Sequence, residues 1–285
     1  MKLGINSSIW EIGGVNFSDA IDRISRAGFR YVDVLALGSV DPTKMEAKTR
    51  KRLIRKFKDS GLVASNMVIL PPGNISSSLE EEREKCLAFL KRCAEFQREL
   101  GGKQILLGFG GGFLTLKLSR ERAWVNSVEF IRDLCEWLSE MRMFLTLELD
   151  PFVFHVVNDT TSMARIISDV NMNNLFANVD LGHLAITREP PAALEKLRVK
   201  ILHIHLSDNN GSIHANYILG KGVTLFPEYI KKLIEMEVHE TCRQYGEVAV
   251  AAMELGEMGQ DIADPDRYVR ESLEYIERNI PELRR

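Results

Sequence analysis

Nowhere in these 285 residues is there a run of the roughly 18 uncharged apolar residues that a membrane-spanning helix requires. The opening stretch, Met1-Lys2-Leu3-Gly4-Ile5-Asn6, turns polar too soon for the apolar core of a signal peptide. Cysteine is scarce. Cys86, Cys93, Cys135 and Cys242 stand apart with no Cys-x-x-Cys pair, which argues against a zinc knuckle or a redox dithiol. Buried, reduced thiols are expected instead. An excess of one charge is also missing: 37 basic residues against 40 acidic ones leave a net −3, with no overall pull toward nucleic acid or anionic lipid. Low-complexity segments, long linkers and composition breaks are absent from the sequence. With 45% hydrophobic and 27% charged residues, the composition is that of an ordinary globular protein, long enough to bury a large core without staples. A cytoplasmic protein with no membrane partner is expected.

What the chain does have is a rhythm. Short apolar runs near residues 2–5, 30–35, 62–68, 103–109, 143–149, 175–180, 200–206 and 247–255 alternate with long amphipathic stretches, about 35 residues per repeat. That is the length of a βα unit, and such crossovers demand parallel strands covered by helices. Eight units over 1–285 predict an α/β fold of one domain, a closed (β/α)8 TIM barrel. Helix starts are predicted at Thr43-Lys44-Met45-Glu46 and Ser78-Leu79-Glu80-Glu81, which fit the capping box, and at Asp264-Pro265. In the helix that follows the third strand, Leu87, Leu90, Ala94 and Leu100 recur at helical spacing.

The chemistry concentrates in the second half, where four predicted strands end in potential ligands: Glu148, Asp180, His205 and Glu254. Side chains alternate along a strand, so Phe144, Thr146 and Glu148 share one face against Leu145, Leu147 and Leu149. His203 and His205 oppose Leu202, Ile204 and Leu206, and Glu254 shares its face with Val250 and Ala252. The aliphatic faces must meet the helices, which turns the polar faces to the lumen and sets the four ligands at the C-terminal mouth. Three carboxylates buried together cost several kcal/mol each unless a cation neutralises them. One divalent ion is therefore expected, with Mn²⁺ the best match to three carboxylates and an imidazole, and Mg²⁺, Co²⁺ or Zn²⁺ as alternatives. Singly, each residue has a plainer explanation as a loop cap or a hydrogen-bonded core group. His203, one layer below His205, is expected to be such a group or a support.

Glu148, Asp180-x-x-His183, His203-x-His205 and Glu254, with Gly220-Lys221-Gly222 between the last two strands, resemble the xylose-isomerase-like TIM-barrel superfamily. Within it, the pattern is similar to the tagatose/psicose 3-epimerases and their sugar-phosphate relatives. The resemblance follows strand order along the whole chain and is specific only in the second half. It implies that Glu148, Asp180, His205 and Glu254 hold one Mn²⁺-like ion and that His183 touches a sugar or sugar phosphate. It also implies a possible homo-oligomer, dimer or tetramer. The chain departs from the 3-epimerases at two places. Phe154, with His155 beside it, stands where they carry a second glutamate, and Asp208-Asn209-Asn210-Gly211 lacks their arginine. These differences point to a more apolar or differently substituted substrate end. His155 and Asp208 are placed at the substrate. Lys221 is a candidate for a phosphate or carboxylate, or else a solvated lysine. Trp10, just past the first strand, is a candidate for the sugar-facing wall, or else a packed aromatic.

A proton next to a ketone leaves at neutral pH only if the developing oxyanion is stabilised, which a Lewis-acidic ion supplies. Glu148 and Glu254 are the candidates for removing it from one face and returning one to the other. The expected activity is that of a sugar isomerase or epimerase working through an enediolate. The alternatives are a lyase resembling inosose dehydratase, an endonuclease-IV-like DNA repair enzyme and a non-catalytic barrel. A nucleic-acid partner is disfavoured, because multi-metal nucleases need more than six histidines can spare, and the basic stretch 44–58 fits a solvated helix face. Gly108-Phe109-Gly110-Gly111-Gly112-Phe113 lacks the third glycine of a dinucleotide fingerprint and is expected to bring backbone close to the mouth. His239-Glu240-Thr241-Cys242-Arg243 lacks the second histidine of a zincin motif and is expected on a helix surface.

Overall fold

The computed structural model describes residues 1–257 and 259–285. Eight strands form in the predicted places: β1 (Lys2–Asn6), β2 (Tyr31–Leu35), β3 (Val63–Ile69), β4 (Gln104–Leu107), β5 (Phe144–Glu148), β6 (Leu175–Asp180), β7 (Ile201–Leu206) and β8 (Val250–Met253). Each pairs in parallel with the next, and β8 closes on β1 from Lys2–Val250 to Ile5–Met253. Helices fill the connections, as right-handed crossovers between parallel strands require. The result is a single-domain (β/α)8 TIM barrel. Among the described residues no helix is long and apolar enough to cross a membrane.

The alternation of side chains sorts the barrel into two environments. Leu145, Leu147, Ile204, Leu206, Ala251 and Met253 are buried among the helices, joined by Phe17, Phe57, Phe96 and Phe226. The lumen is polar instead, with Asp33, Asn66, Thr146, Asn178 and His203 all buried. Asn66 donates to the Thr146 hydroxyl at 3.0 Å, which in turn donates to the Ile105 carbonyl. All four cysteines are buried and free. Burial pushes the Cys86 thiol up to about 11 and those of Cys135 and Cys242 to about 12, so none is a nucleophile at neutral pH.

The basic stretch behaves as a solvated helix, Ala47–Asp59, that buries Leu53 and Phe57 and ties Lys56 to Asp22 at 2.7 Å. His239 lies half-exposed on the helix Val238–Gln244. Asp264 caps the last helix, Pro265–Asn279, by accepting from the Arg267 amide.

The two expected capping boxes do not form. Helix Ala47–Asp59 starts after Glu46, and helix Glu80–Leu100 starts after Leu79, neither with a side-chain cap. Thr43 is spent in the preceding turn, where its amide and hydroxyl both donate to Asp41. Glu80, Glu81 and Glu82 occupy the first turn of the second helix, where negative charge suits the exposed amide dipoles. A hydroxyl in a loop has several local backbone partners, and here the turn outcompeted the helix end.

Candidate metal centre

Glu148, Asp180, His205 and Glu254 meet at the C-terminal mouth, and each offers a ligand atom within 4.8 Å of the others. Strand parity explains the convergence, since the C-terminal ends of β5 to β8 each set a polar, lumen-facing side chain at neighbouring heights. In register, Glu148 pairs with Asn178 and Asp180 with His205, while Glu254 follows directly on β8 and donates its amide to the Leu206 carbonyl.

The hydrogen bonds around these groups hold each of them in place. Asp180 Oδ1 accepts from the His183 amide at 2.8 Å and from Ser207 at 2.6 Å, so it also caps the helix Leu181–Ile186. Its Oδ2 is buried with no partner. Glu148 Oε1 accepts from Asn178 at 2.5 Å, and Glu254 Oε1 from Asn6 at 3.2 Å. His205 Nε2 lies 3.1 Å from Asp33 Oδ2, and its Nδ1 lies 2.9 Å from both Glu148 Oε1 and Glu254 Oε2 without an aligned hydrogen bond to either. With Nε2 hydrogen-bonded to Asp33, Nδ1 faces two carboxylate oxygens. A positive charge among them makes that arrangement favourable, either a proton on the imidazole or a metal ion, and the partnerless buried Asp180 Oδ2 beside them points to the ion. The residues present therefore fit a divalent cation, and the oxygen-rich donor set is of the kind that suits Mn²⁺ or Mg²⁺.

Asp33, on β2, is the member that sequence patterning passed over. It is fully buried, accepts from His203 Nε2 at 2.7 Å as well as from His205, and takes the Ser65 hydroxyl on its other oxygen at 2.7 Å. Burial works against its charge, yet the two imidazoles outweigh that and hold its carboxyl far below the usual range. A permanently ionised carboxylate behind the ring fixes which nitrogen of His205 faces the mouth. His203 is thus a support, held by the same carboxylate. The signal for Asp33 was a lone aspartate in an otherwise apolar strand, Tyr31-Val32-Asp33-Val34-Leu35.

Electrostatics separate the two candidate bases. Burial raises the pKa of Glu148 and prevails over the pull of His205. Glu254 is equally buried, but His205, His214 and His183 together bring it below the ordinary value. Burial opposes charge on His205, and Glu254 and Glu148 overcome it, lifting its pKa well above that of a free histidine.

Above the ligands opens a cavity of about 470 Å³, within the ordinary range for a small-molecule site. Glu148, Glu254, His183 and His155 line it. His183 Nδ1 is engaged by the Leu149 carbonyl at 2.7 Å, which leaves the buried Nε2 without a partner at the cavity wall. His155 Nδ1 meets the Phe109 carbonyl at 3.0 Å, and its Nε2 sits 3.2 Å from Asp150. His214 and Glu257, which the sequence did not single out, pair at 2.5 Å on the rim.

Three expected substrate contacts lie elsewhere. Trp10 is fully buried and donates its indole N–H to Asp266 at 2.8 Å, so it packs behind the barrel wall and does not line the cavity. Asp208 is also fully buried and accepts from the amides of Gly220, Gly222 and Thr224, which makes it the clasp of the loop between β7 and β8. Lys221 is exposed on that loop and is not among the cavity-lining residues.

A family model described as xylose isomerase-like TIM barrel matches residues 21–278. The chain belongs to this family. Among its relatives is a fructoselysine 3-epimerase from Escherichia coli O157:H7, 26% identical over 214 residues, which are 74% of this chain and 73% of the relative. Another is a D-psicose 3-epimerase from Agrobacterium fabrum, 24% identical over 223 residues, 74% of each chain. The solved structure of a D-psicose 3-epimerase with D-tagatose from Clostridium cellulolyticum H10 superposes with a TM-score of 0.80 at 19% identity, covering 98% of this chain and 99% of that one. The family's barrel architecture is thus reproduced here from end to end.

Proposed function

We propose that this protein is a divalent-metal-dependent isomerase that epimerises or isomerises a ketose by proton transfer at the carbon next to the carbonyl, with Mn²⁺ as its ion. One observation carries this reading: His205 Nδ1 lies 2.9 Å from both the Glu148 and Glu254 carboxylates, with the partnerless Asp180 Oδ2 in the same cluster, while Asp33 takes the other ring nitrogen. The epimerase relatives support the same class of reaction.

A bound divalent ion supplies Lewis-acid stabilisation of the oxyanion that forms as the proton leaves. Glu148, Asp180, His205 and Glu254 would hold it. Glu254 and Glu148, which reach the cavity from β8 and β5, are the pair that takes the proton from one face of the carbon and returns one to the other, with Glu254 as the base. His183 presents its free Nε2 to a substrate hydroxyl.

The test is a screen of ketoses, ketose phosphates and keto-inositols with Mn²⁺, read by exchange of the carbon-bound proton for solvent deuterium. Glu254→Gln should lower exchange by about 10²–10⁴-fold, the usual contribution of a positioned base, with the circular dichroism spectrum unchanged. Retained exchange in that variant overturns the assignment of the base. A product absorbing in the ultraviolet would show elimination in place of reprotonation.

A further inference from the structure

We propose that the mouth carries a second subsite, an aromatic cleft that accepts a neutral apolar substituent on the ketose held at the metal centre. This inference rests on the isomerase reading above and names its substrate class. The cavity that contains Glu148 and Glu254 is continuous with a wall made by Phe113, Phe152 and Phe154, and Leu35, Val68 and Leu70 line the same space. The rings are stacked: Phe152 on Phe154 at 5.6 Å and 8°, Phe113 on Phe154 at 6.5 Å and 16°. Phe154 remains 48% exposed. An apolar wall left open to water beside a polar centre is the mark of a binding surface, because a core would have closed over it.

This wall is built rigidly. The loops after β4 and β5 are zipped to each other: Leu114 donates to the Phe154 carbonyl at 2.6 Å, Val156 to Gly112 at 2.9 Å and Val157 to Gly110 at 2.7 Å. Asn74 clamps Phe113 from both sides, donating to its carbonyl and accepting from its amide. At Gly110 the backbone is left-handed (φ 51°), and an added Cβ would stand 2.4 Å from the Val157 carbonyl, so only glycine allows the two loops to meet. Phe109 holds φ 60°, a conformation costly for a bulky residue and found where a site fixes its own geometry.

Charge decides what the cleft takes. Among the described residues lining the cavity there is no lysine or arginine, and Asp150 and Glu257 add carboxylates to those of the metal centre. A phosphate or carboxylate at the far end of the substrate would meet no guanidinium or ammonium group, and the His214 imidazole on the rim is already engaged by Glu257 at 2.5 Å. A neutral alkyl or aryl group would instead cover the exposed phenylalanine faces.

The deciding experiment compares three substrates on the Mn²⁺ enzyme: a free ketohexose, the same sugar with a phenyl ether at the end remote from the carbonyl, and the same sugar phosphorylated there. Deuterium exchange should give kcat/KM roughly 10- to 100-fold higher for the phenyl compound than for the free sugar, the gain expected from burying one aromatic ring, with the phosphate poorest. Phe154→Ala and Phe113→Ala should each shrink that ratio. Equal kcat/KM for all three, preference for the phosphate, or an unchanged ratio in both variants would overturn the subsite while leaving the isomerase reading intact. Absence of exchange with every ketose would overturn the isomerase reading. Calorimetric binding of the phenyl sugar to wild type and Phe154→Ala then judges the cleft by itself, since equal affinities overturn it.

Discussion

Strands β5 to β8 bring Glu148, Asp180, His205 and Glu254 to the mouth, whereas β1 to β4 end in Asn6, Leu35, Ile69 and Leu107. The second half of the barrel donates every proposed ligand. The first half donates braces and walls: Asn6 to Glu254, Asp33 to both histidines, Asn66 to Thr146, and Leu35, Val68 and Leu70 to the cavity. The contrast shows how one barrel divides its chemistry. Ligands need only the right donor at the right height on adjacent strands. Braces must reach across the lumen to orient those ligands, and walls must shape whatever lies above them.

Removing a donor from the second half should have the largest effect. His205→Asn should abolish tight Mn²⁺ binding, measured by electron paramagnetic resonance of free Mn²⁺, with the fold verified by circular dichroism. Removing a brace from the first half should cost less. Asp33→Asn keeps the shape but loses the charge that holds the His205 ring, and Mn²⁺ affinity should fall about 10–100-fold in the same titration. An Asp33→Asn loss as complete as that of His205→Asn would break the division between ligand and brace. An unchanged affinity would strip Asp33 of its orienting role.

The rim pair sharpens the comparison through pH. Burial opposes charge on His214, but Glu257 outweighs it and raises the imidazole to about 9 from 6.5. A histidine whose folded pKa is raised adds stability in full below its unfolded pKa and loses it as pH climbs through the folded one. The stability advantage of wild type over Glu257→Gln should therefore be greatest below about pH 6.5 and fade by about pH 9, as followed by urea unfolding. A gap that widens with pH would refute the pairing. Trp10→Phe should have the smallest effect on function. It removes the hydrogen bond to Asp266 and should cost about 1 kcal/mol of stability while leaving KM unchanged. A raised KM would return Trp10 to the substrate wall.

Much of this was legible in the order of residues. The eight-fold alternation gave the barrel, because the length of a βα unit and the demand for covered parallel strands are local properties that repeat. The four ligands were legible for the same reason: alternation along a strand assigns each side chain to lumen or helix layer without knowledge of the neighbours. Capping was less legible. Asp264 was used as expected, but Thr43 was drawn into a turn with Asp41, a competition settled by loop geometry.

Tertiary structure alone decided the rest. Asp33 and His203 are 170 residues apart, and nothing in either neighbourhood announces that one carboxylate will serve two imidazoles across a closed barrel. Trp10 and Asp208 sit beside strand ends just as the ligands do, yet their polar atoms found partners in a helix and a loop that only the closed fold brings near. The aromatic wall likewise exists because two loops from neighbouring strands are bonded together over the mouth. Periodicity and strand parity are written along the chain, whereas a hydrogen bond between distant segments depends on which backbone arrives beside it. That is the physical boundary between what this sequence determined and what folding had to decide.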